Sequence, residues 1–160
     1  MLSLTRVFQV NCDPECFYLM LMDQERYPDF LAEFKKIWVW KRQGEEICAD
    51  CEARFFKTVK FTLCTIGEPF HQVKWREEKG IFQYNEGRWL LRPLGKHLTE
   101  VTYNISLDKG VLIPSPIVRL AIHWALPRLL NSFKYRAESL WREAPKAQKG
   151  RTPPFRDILT

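Results

Sequence analysis

Residues Ile117 to Leu130 are apolar almost all round and belong to the longest helical pattern in the chain. A helix apolar on every side must be covered on every side, which one flat sheet face cannot do. The pattern runs from about Ser115 to Glu143, roughly 43 Å at 1.5 Å per residue, and Pro114 and Pro116 mark its start. Its second half is amphipathic, with Phe133 and Leu140 set against Lys134, Arg136, Glu138 and Arg142. Pro127 lies inside it, so one backbone hydrogen bond is lost near His123 and a kink is predicted there. The cover for the apolar half has to come from a wrapped sheet, from short helices, from a cavity ligand or from a membrane.

The wrapped sheet is legible upstream. Leu4 to Val10 alternates weakly and reads as a first strand. Asp13-Pro14-Glu15 is a helix start: Asp13 as cap, Pro14 at the first helical position, Glu15 at the positive end of the dipole. The run Phe17 to Met22 gives a short buried helix, and Asp23 to Phe34 a second one with Pro28 near its beginning. Six strand-like segments follow, at about Lys36–Arg42, Glu46–Phe56, Thr58–Ile66, Phe70–Glu77, Ile81–Arg92 and Thr99–Leu107. Turn formers such as Gln43-Gly44, Gly67-Glu68-Pro69, Lys79-Gly80 and Gly95-Lys96 separate most of them. Period-two alternation with short connections means an antiparallel meander with one buried face. The expected fold is therefore α+β: a curved antiparallel sheet of about seven strands around a long C-terminal helix, with two short helices after the first strand.

A chain of 160 residues suits one domain. Residues 1–143 form that domain in this reading, and 144–160 form a basic, Pro-containing, poorly ordered extension carrying Lys146, Lys149, Arg151 and Arg156. The net charge of +6 suits an acidic partner, either an anionic membrane surface or RNA, although it also serves plain solubility. Five cysteines with no leader-like N-terminus predict free thiols in a reducing cytosol. With no apolar stretch of about 18–20 residues, the expected location is cytoplasmic, at most peripheral to a membrane. Oligomeric state is left open.

Particular residues sharpen the fold. Asp23-Gln24-Glu25-Arg26-Tyr27-Pro28-Asp29-Phe30-Leu31 follows a D-x-E-x-Y-P-x-F-L pattern. Gly80-Ile81-Phe82, Gly87-Arg88-Trp89 and Pro93-Leu94 follow G-x-F, G-x-W and P-L, and Arg136-Ala137-Glu138 falls late in the long helix. Over about residues 1–142 the chain resembles the START-like proteins, the SRPBCC or polyketide cyclase/dehydrase and lipid transport superfamily, and within it the coenzyme Q-binding, oligoketide cyclase-like branch. The resemblance implies a helix-grip fold with an interior pocket for a lipid, a quinone or a polyketide-like molecule. A bound quinone or lipid is the one cofactor-like group it implies. Fold alone does not fix function.

The expected pocket wall draws on every element. Trp75, Trp89 and Tyr103 lie on three strands and share an interior in this reading, either as pocket lining with the Tyr103 phenol as a polar handle or as solid core. Val39, Phe55, Phe61 and Ile105 join them from the sheet, and Leu120, His123 and Trp124 from the long helix. His123 precedes Pro127 by four residues; it either faces the cavity and hydrogen-bonds a ligand carbonyl or hydroxyl, or sits at the surface or caps a local defect. Tyr27 and Phe30 pack beneath the second short helix or gate the cavity mouth. A register slip of one residue would swap every strand side chain to the other face.

Other groups carry less. Cys48 and Cys51 have C-x-x-C spacing, but three residues apart on a strand they point to opposite faces. Cys12 and Cys16 have no histidine near them in sequence, so no metal site is expected. Glu45-Glu46 and Glu77-Glu78 read as solvated turn acids. Phosphate loops and nucleophile elbows are absent from the sequence, so no catalytic residue is assigned. Three functions compete: an intracellular binder or carrier of a hydrophobic small molecule, a polyketide aromatase/cyclase using His123, Tyr103 or Arg88, and a toxin-like module that contacts the ribosome or RNA.

Overall fold

The computed structural model describes residues 1–144. The extension read beyond Ala144 lies outside the described residues. The strands are β1 (Leu2–Val10), β2 (Phe34–Gln43), β3 (Glu46–Arg54), β4 (Thr58–Glu68), β5 (Gln72–Lys79), β6 (Tyr84–Gly95) and β7 (Leu98–Asp108). They form one antiparallel sheet in the order β1-β7-β6-β5-β4-β3-β2. Every neighbour from β2 to β7 is a hairpin partner, and only β1 pairs across the chain, with β7. The helices are α1 (Pro14–Met22), α2 (Tyr27–Phe30), α3 (Ser115–Leu120) and α4 (Leu126–Glu143).

Bulges bend the strands where the sheet wraps. They fall between Phe34 and Lys36, Val39 and Lys41, Thr62 and Leu63, and Pro93 and Gly95. The inner face follows from the alternation. Ile47, Ala49, Cys51 and Ala53 of β3, Val73 of β5, Trp89 and Leu91 of β6, and Val101, Tyr103 and Leu107 of β7 are all buried.

One end of this trough is solid. Every residue of α1 from Cys16 to Met22 is buried, with Phe17 against Phe8 and Trp89. The second half of α4 closes the same end through Phe133, Ala137 and Trp141. Glu138 accepts a hydrogen bond from the Asn11 backbone N–H at 2.9 Å, and the Arg136 guanidinium lies over the Phe30 ring at 5.4 Å. The Arg-Ala-Glu triplet thus locks the helix to the β1–α1 corner and to α2.

Several expectations are corrected. The second short helix is brief: Gln24–Arg26 is a 3-10 turn and α2 stops at Phe30. Pro28 has no N–H to bond back to Gln24, so the two turns cannot join into one helix. Asp13 stands at the α1 N-cap without a capping hydrogen bond; its carboxylate instead pairs with Nδ1 of His97 at 2.9 Å. The kink predicted at Pro127 takes the form of a π-turn, Ala121–Ala125, in which the Leu126 N–H reaches Ala121 O. That wider turn absorbs the missing donor without breaking the rod. Full cover for the apolar half does not exist either, since neither α3 nor the π-turn has a buried residue.

The free-thiol expectation also fails in part. Cys48 and Cys64 stand opposite each other on β3 and β4 and form a disulfide. Opposed positions on antiparallel neighbours bring their Cα atoms within 4.2 Å, a pairing that the spacing of cysteines along the chain does not reveal. Cys12, Cys16 and Cys51 remain free and buried. Burial, with Asp50 second, pushes the Cys51 thiol up to about 12.

Candidate functional site: an apolar cavity under the long helix

Strands β3, β5 and β7 run in the same direction, because each is antiparallel to the strand between. Their ends therefore meet at one rim of the sheet. From there the chain continues into residues 55–57, residues 80–83 and the segment leading to α3. Phe55, Phe56, Ile81, Phe82 and Ile113 come from these connections and turn towards Ile117, Val118 and Ala121 of the helical rod, around a cavity of about 240 Å³. Deeper in, the wall is Phe61, Leu63, Val73, Trp75, Trp89, Tyr103 and Ile105 from the sheet, and Leu129 and Phe133 from α4.

The floor is an aromatic cluster. Phe133 meets Tyr27, Phe30 and Trp89 with ring centroids 5.2, 5.4 and 5.0 Å apart. Tyr103 lies 4.6 Å from Trp89 and stacks at 6.5 Å with Trp75. Register explains this: Trp89 is directly opposite Tyr103 on β6 and β7, and Trp75 is opposite Gly87 on β5 and β6. Burial pushes the phenols of Tyr27 and Tyr103 upward, so both stay neutral hydrogen-bonding groups. The Tyr27 hydroxyl donates to Leu21 O at 2.5 Å.

The polar lining is sparse. Gln24 donates through Nε2 to Thr65 Oγ1 at 2.8 Å. Glu77 and Asn85 also line the wall, and Asn85 Nδ2 donates to Glu77 Oε2 at 3.0 Å. Burial raises the Glu77 carboxyl above its ordinary range, while Asn85 and the backbone at Ile81 and Phe82 draw it back.

Of the residues singled out from sequence, Tyr27, Phe55, Phe61, Trp75, Trp89, Tyr103 and Ile105 come together around this cavity. Phe30 and Val39 pack against the core but outside the lining, Phe30 because Phe133 and Tyr27 stand between. Leu120 and Trp124 border an adjoining outer groove of about 420 Å³ with Phe55 and Phe56. His123 is exposed. The inward face of the rod is Ile117, Val118, Ala121, Ile122 and Ala125; Leu120 and Trp124 flank it on the outer-groove side, where Ile117, Ala121 and Ala125 also reach, and His123 is left on the far side. Arg88 is exposed too and donates to Asn104 on the outer face of the sheet.

Gln24, Thr65, Ile81, Phe82, Glu77 and Asn85 are among the wall residues that the sequence reading missed. A signal for Glu77 existed: Val73, Trp75 and Glu77 alternate, so it shares the face of Trp75. Reading it as a solvated turn acid is corrected by that position. Glu45 is likewise not simply solvated, since the Tyr18 hydroxyl donates to it at 2.5 Å. Among the described residues, no group of three or more His, Cys, Asp or Glu is placed to hold a metal ion, and no helix is long and apolar enough to cross a membrane.

A family model described as polyketide cyclase / dehydrase and lipid transport matches residues 10–134. No curated protein sequence matches the chain. Among solved structures, the Zhui aromatase/cyclase from Streptomyces sp. R1128 superposes with a TM-score of 0.76 at 14% identity, over 86% of this chain and 93% of its own. A START superfamily protein from Mycobacterium smegmatis gives 0.74 at 20% identity, over 86% and 98%. A protein of Thermus thermophilus gives 0.74 at 19% identity, over 86% and 98%. At such identities the likeness is one of fold.

Proposed function

The chain belongs to the polyketide cyclase/dehydrase and lipid transport family, and from that premise we propose that it binds and carries an apolar, ring-bearing small molecule in the cavity under the long helix. The observation that carries this reading is the hollow itself, about 240 Å³ walled by rings and aliphatic side chains. A dry cavity of that size forfeits up to ~6 kcal/mol at the rate seen when core side chains are truncated. That is comparable with the whole stability of a domain, about 5–15 kcal/mol, so an apolar guest that restores the contacts stabilises the fold.

Volume narrows the guest. The hollow is about one and a half times the size of an engineered cavity that takes up benzene. It suits one or two fused rings and is too small for a long prenyl or acyl chain. A quinone or lipid-like ligand fits with its head inside and its tail leaving between Phe55, Phe56 and the helical rod. Mass spectrometry of the full chain, gently purified, tests this: a co-purifying ring compound with an apolar tail is expected. No bound molecule, together with no thermal stabilisation by ring-bearing lipids, would contradict the reading.

The cyclase alternative draws support from the likeness to an aromatase/cyclase, but two of its three candidate groups, His123 and Arg88, point away from the cavity. Tyr103 alone remains for it. Turnover of a poly-β-carbonyl substrate, lost in Tyr103→Phe, would favour catalysis over carriage.

The mouth supports a membrane as the place of loading. Val111 and Leu112, 96% and 89% exposed, adjoin the mouth residue Ile113, and Leu120 and Trp124 are exposed on the rod. Arg119 and Arg128 lie among them. Val111, Leu112 and Leu120 have little to offer RNA, which favours stacking rings on a basic groove, whereas a bilayer with anionic headgroups takes all the apolar groups, Trp124 included, together with the cationic ones. A location at the membrane surface goes with this reading. Sedimentation with vesicles containing phosphatidylserine, weakened in Leu112→Asp, is expected; salt-sensitive binding to ribosomes with none to vesicles would favour the RNA reading.

A further inference from the structure

One fully buried polar atom in the cavity wall is unmatched. Among the described residues, Asn85 Oδ1 is the buried side-chain nitrogen or oxygen for which the chain offers no hydrogen-bond partner. Such groups are rare, and each calls for a reason. Its neighbours explain why the chain leaves it so. Across the sheet Asn85 faces Leu107 on β7 and bonds Glu77 on β5. The next inner position on its own strand is Gly87, which has no side chain. Leu107 cannot donate, and the Glu77 carboxylate only accepts.

The amide orientation follows from Glu77. The carboxylate takes the Asn85 Nδ2–H at 3.0 Å and is also bonded by the backbone at Ile81 and Phe82. Gly80 permits this: a Cβ there would collide with Glu77 Oε1. An acceptor fixed in that place holds the NH₂ of Asn85 towards it. The carbonyl oxygen is turned the other way, with almost no accessible surface of its own, in a residue that lines the cavity, so a ligand reaches it only as the side chains around it part.

We propose that Asn85 Oδ1 is the polar anchor of the cavity and accepts a hydrogen bond from a hydroxyl on an otherwise apolar ligand, with Glu77 as the positioning residue that sets the amide. This rests on the reading of the cavity as a ligand site and goes beyond it by naming the ligand class: phenols, hydroquinones and ring alcohols rather than hydrocarbons. Four residues along β6, at ~3.3 Å each, the anchor stands about 13 Å from Trp89. The donor group therefore lies near the β5–β6 connection and the rings reach inward.

The test uses two probes of one shape, 2-naphthol and 2-methylnaphthalene, titrated into the full chain by calorimetry. The quantity read is the ratio of their affinities in the wild type divided by the same ratio in Asn85→Leu, which cancels the different hydration of the probes. A value of about five to ten is expected, the worth of one buried hydrogen bond. An unchanged ratio overturns the anchor while leaving the cavity reading intact. If neither probe binds the wild type, the cavity reading falls and the anchor with it. A second measurement needs no variant: in the ¹³C-labelled wild type, the Asn85 side-chain carbonyl resonance should move with 2-naphthol and hold still with 2-methylnaphthalene. Equal movement with both overturns the assignment.

Discussion

The Trp75 indole lies against Gly87 on the neighbouring strand: a Cβ at position 87 would sit 2.6 Å from Cζ2 of the ring. The glycine of the Gly87-Arg88-Trp89 motif is thus a space reserved for an aromatic wall. The Asn104 carbonyl oxygen, 2.5 Å from the same point, closes off the other direction. Gly87→Ala should force Trp75 into the hollow, destabilise the fold by roughly 1–3 kcal/mol as overpacking does, and weaken binding of naphthalene-sized probes at least tenfold. Urea denaturation and calorimetric titration check the two effects separately.

Phe133 joins the helix to the sheet. Its ring meets Tyr27, Phe30 and Trp89, and it lines the cavity floor. Phe133→Ala should cost about 3–5 kcal/mol by urea denaturation. Because the lost ring merges with the hollow, a ring-bearing probe should restore more stability to the variant than it adds to the wild type.

Asp23 gives the fold a pH signature. Burial pushes its carboxyl up to about 6, with the Arg26 guanidinium at 3.3 Å partly opposing. The folded pKa is higher than the unfolded one, so the folded state holds the proton more tightly. Stability from this group is full below about pH 4, declines between about 4 and 6, and is flat above. Its side chain is only 12% exposed, and the shift corresponds to roughly 3 kcal/mol. Asp23→Asn should therefore be more stable than the wild type at pH 8 and equal to it near pH 4, measured by urea midpoints. A variant weaker at pH 8 would show that the ion pair with Arg26 outweighs the burial.

The cysteines divide by position. In the unfolded, unreduced chain an alkylating reagent should modify Cys12, Cys16 and Cys51 and spare Cys48 and Cys64. In the native chain none should react quickly, since burial raises the Cys51 thiol, and the hydrogen bond to Cys12 together with burial raises Cys16. Peptide mass mapping reads both outcomes.

Much of this architecture was legible. The alternation in Ile47-Ala49-Cys51-Ala53 and Val101-Tyr103-Ile105-Leu107 placed the inner face correctly, and pairs such as Trp89 and Tyr103 follow from a local period of two. What stayed hidden was long-range. Cys48 meets Cys64 only through the β3–β4 register, and His97 meets Asp13 only when the β6–β7 turn folds against the start of α1. The facing of His123 was hidden for another reason. Leu120, His123 and Trp124 read as part of an apolar stretch, but a helix that borders a hollow needs only one apolar face covered, and the sequence does not say which. Asn85 escaped because a single polar residue in a strand has no pattern of its own; its meaning comes from Glu77 opposite.

The most direct test fills the hollow. Ala121 faces the cavity from the π-turn, and Ala121→Trp places an indole where the guest belongs. Calorimetry with 2-naphthol should show one saturable site in the wild type with a negative heat-capacity change, the mark of apolar burial, and at least a tenfold loss in the variant. Equal affinity in the two proteins would place the binding elsewhere and contradict the account.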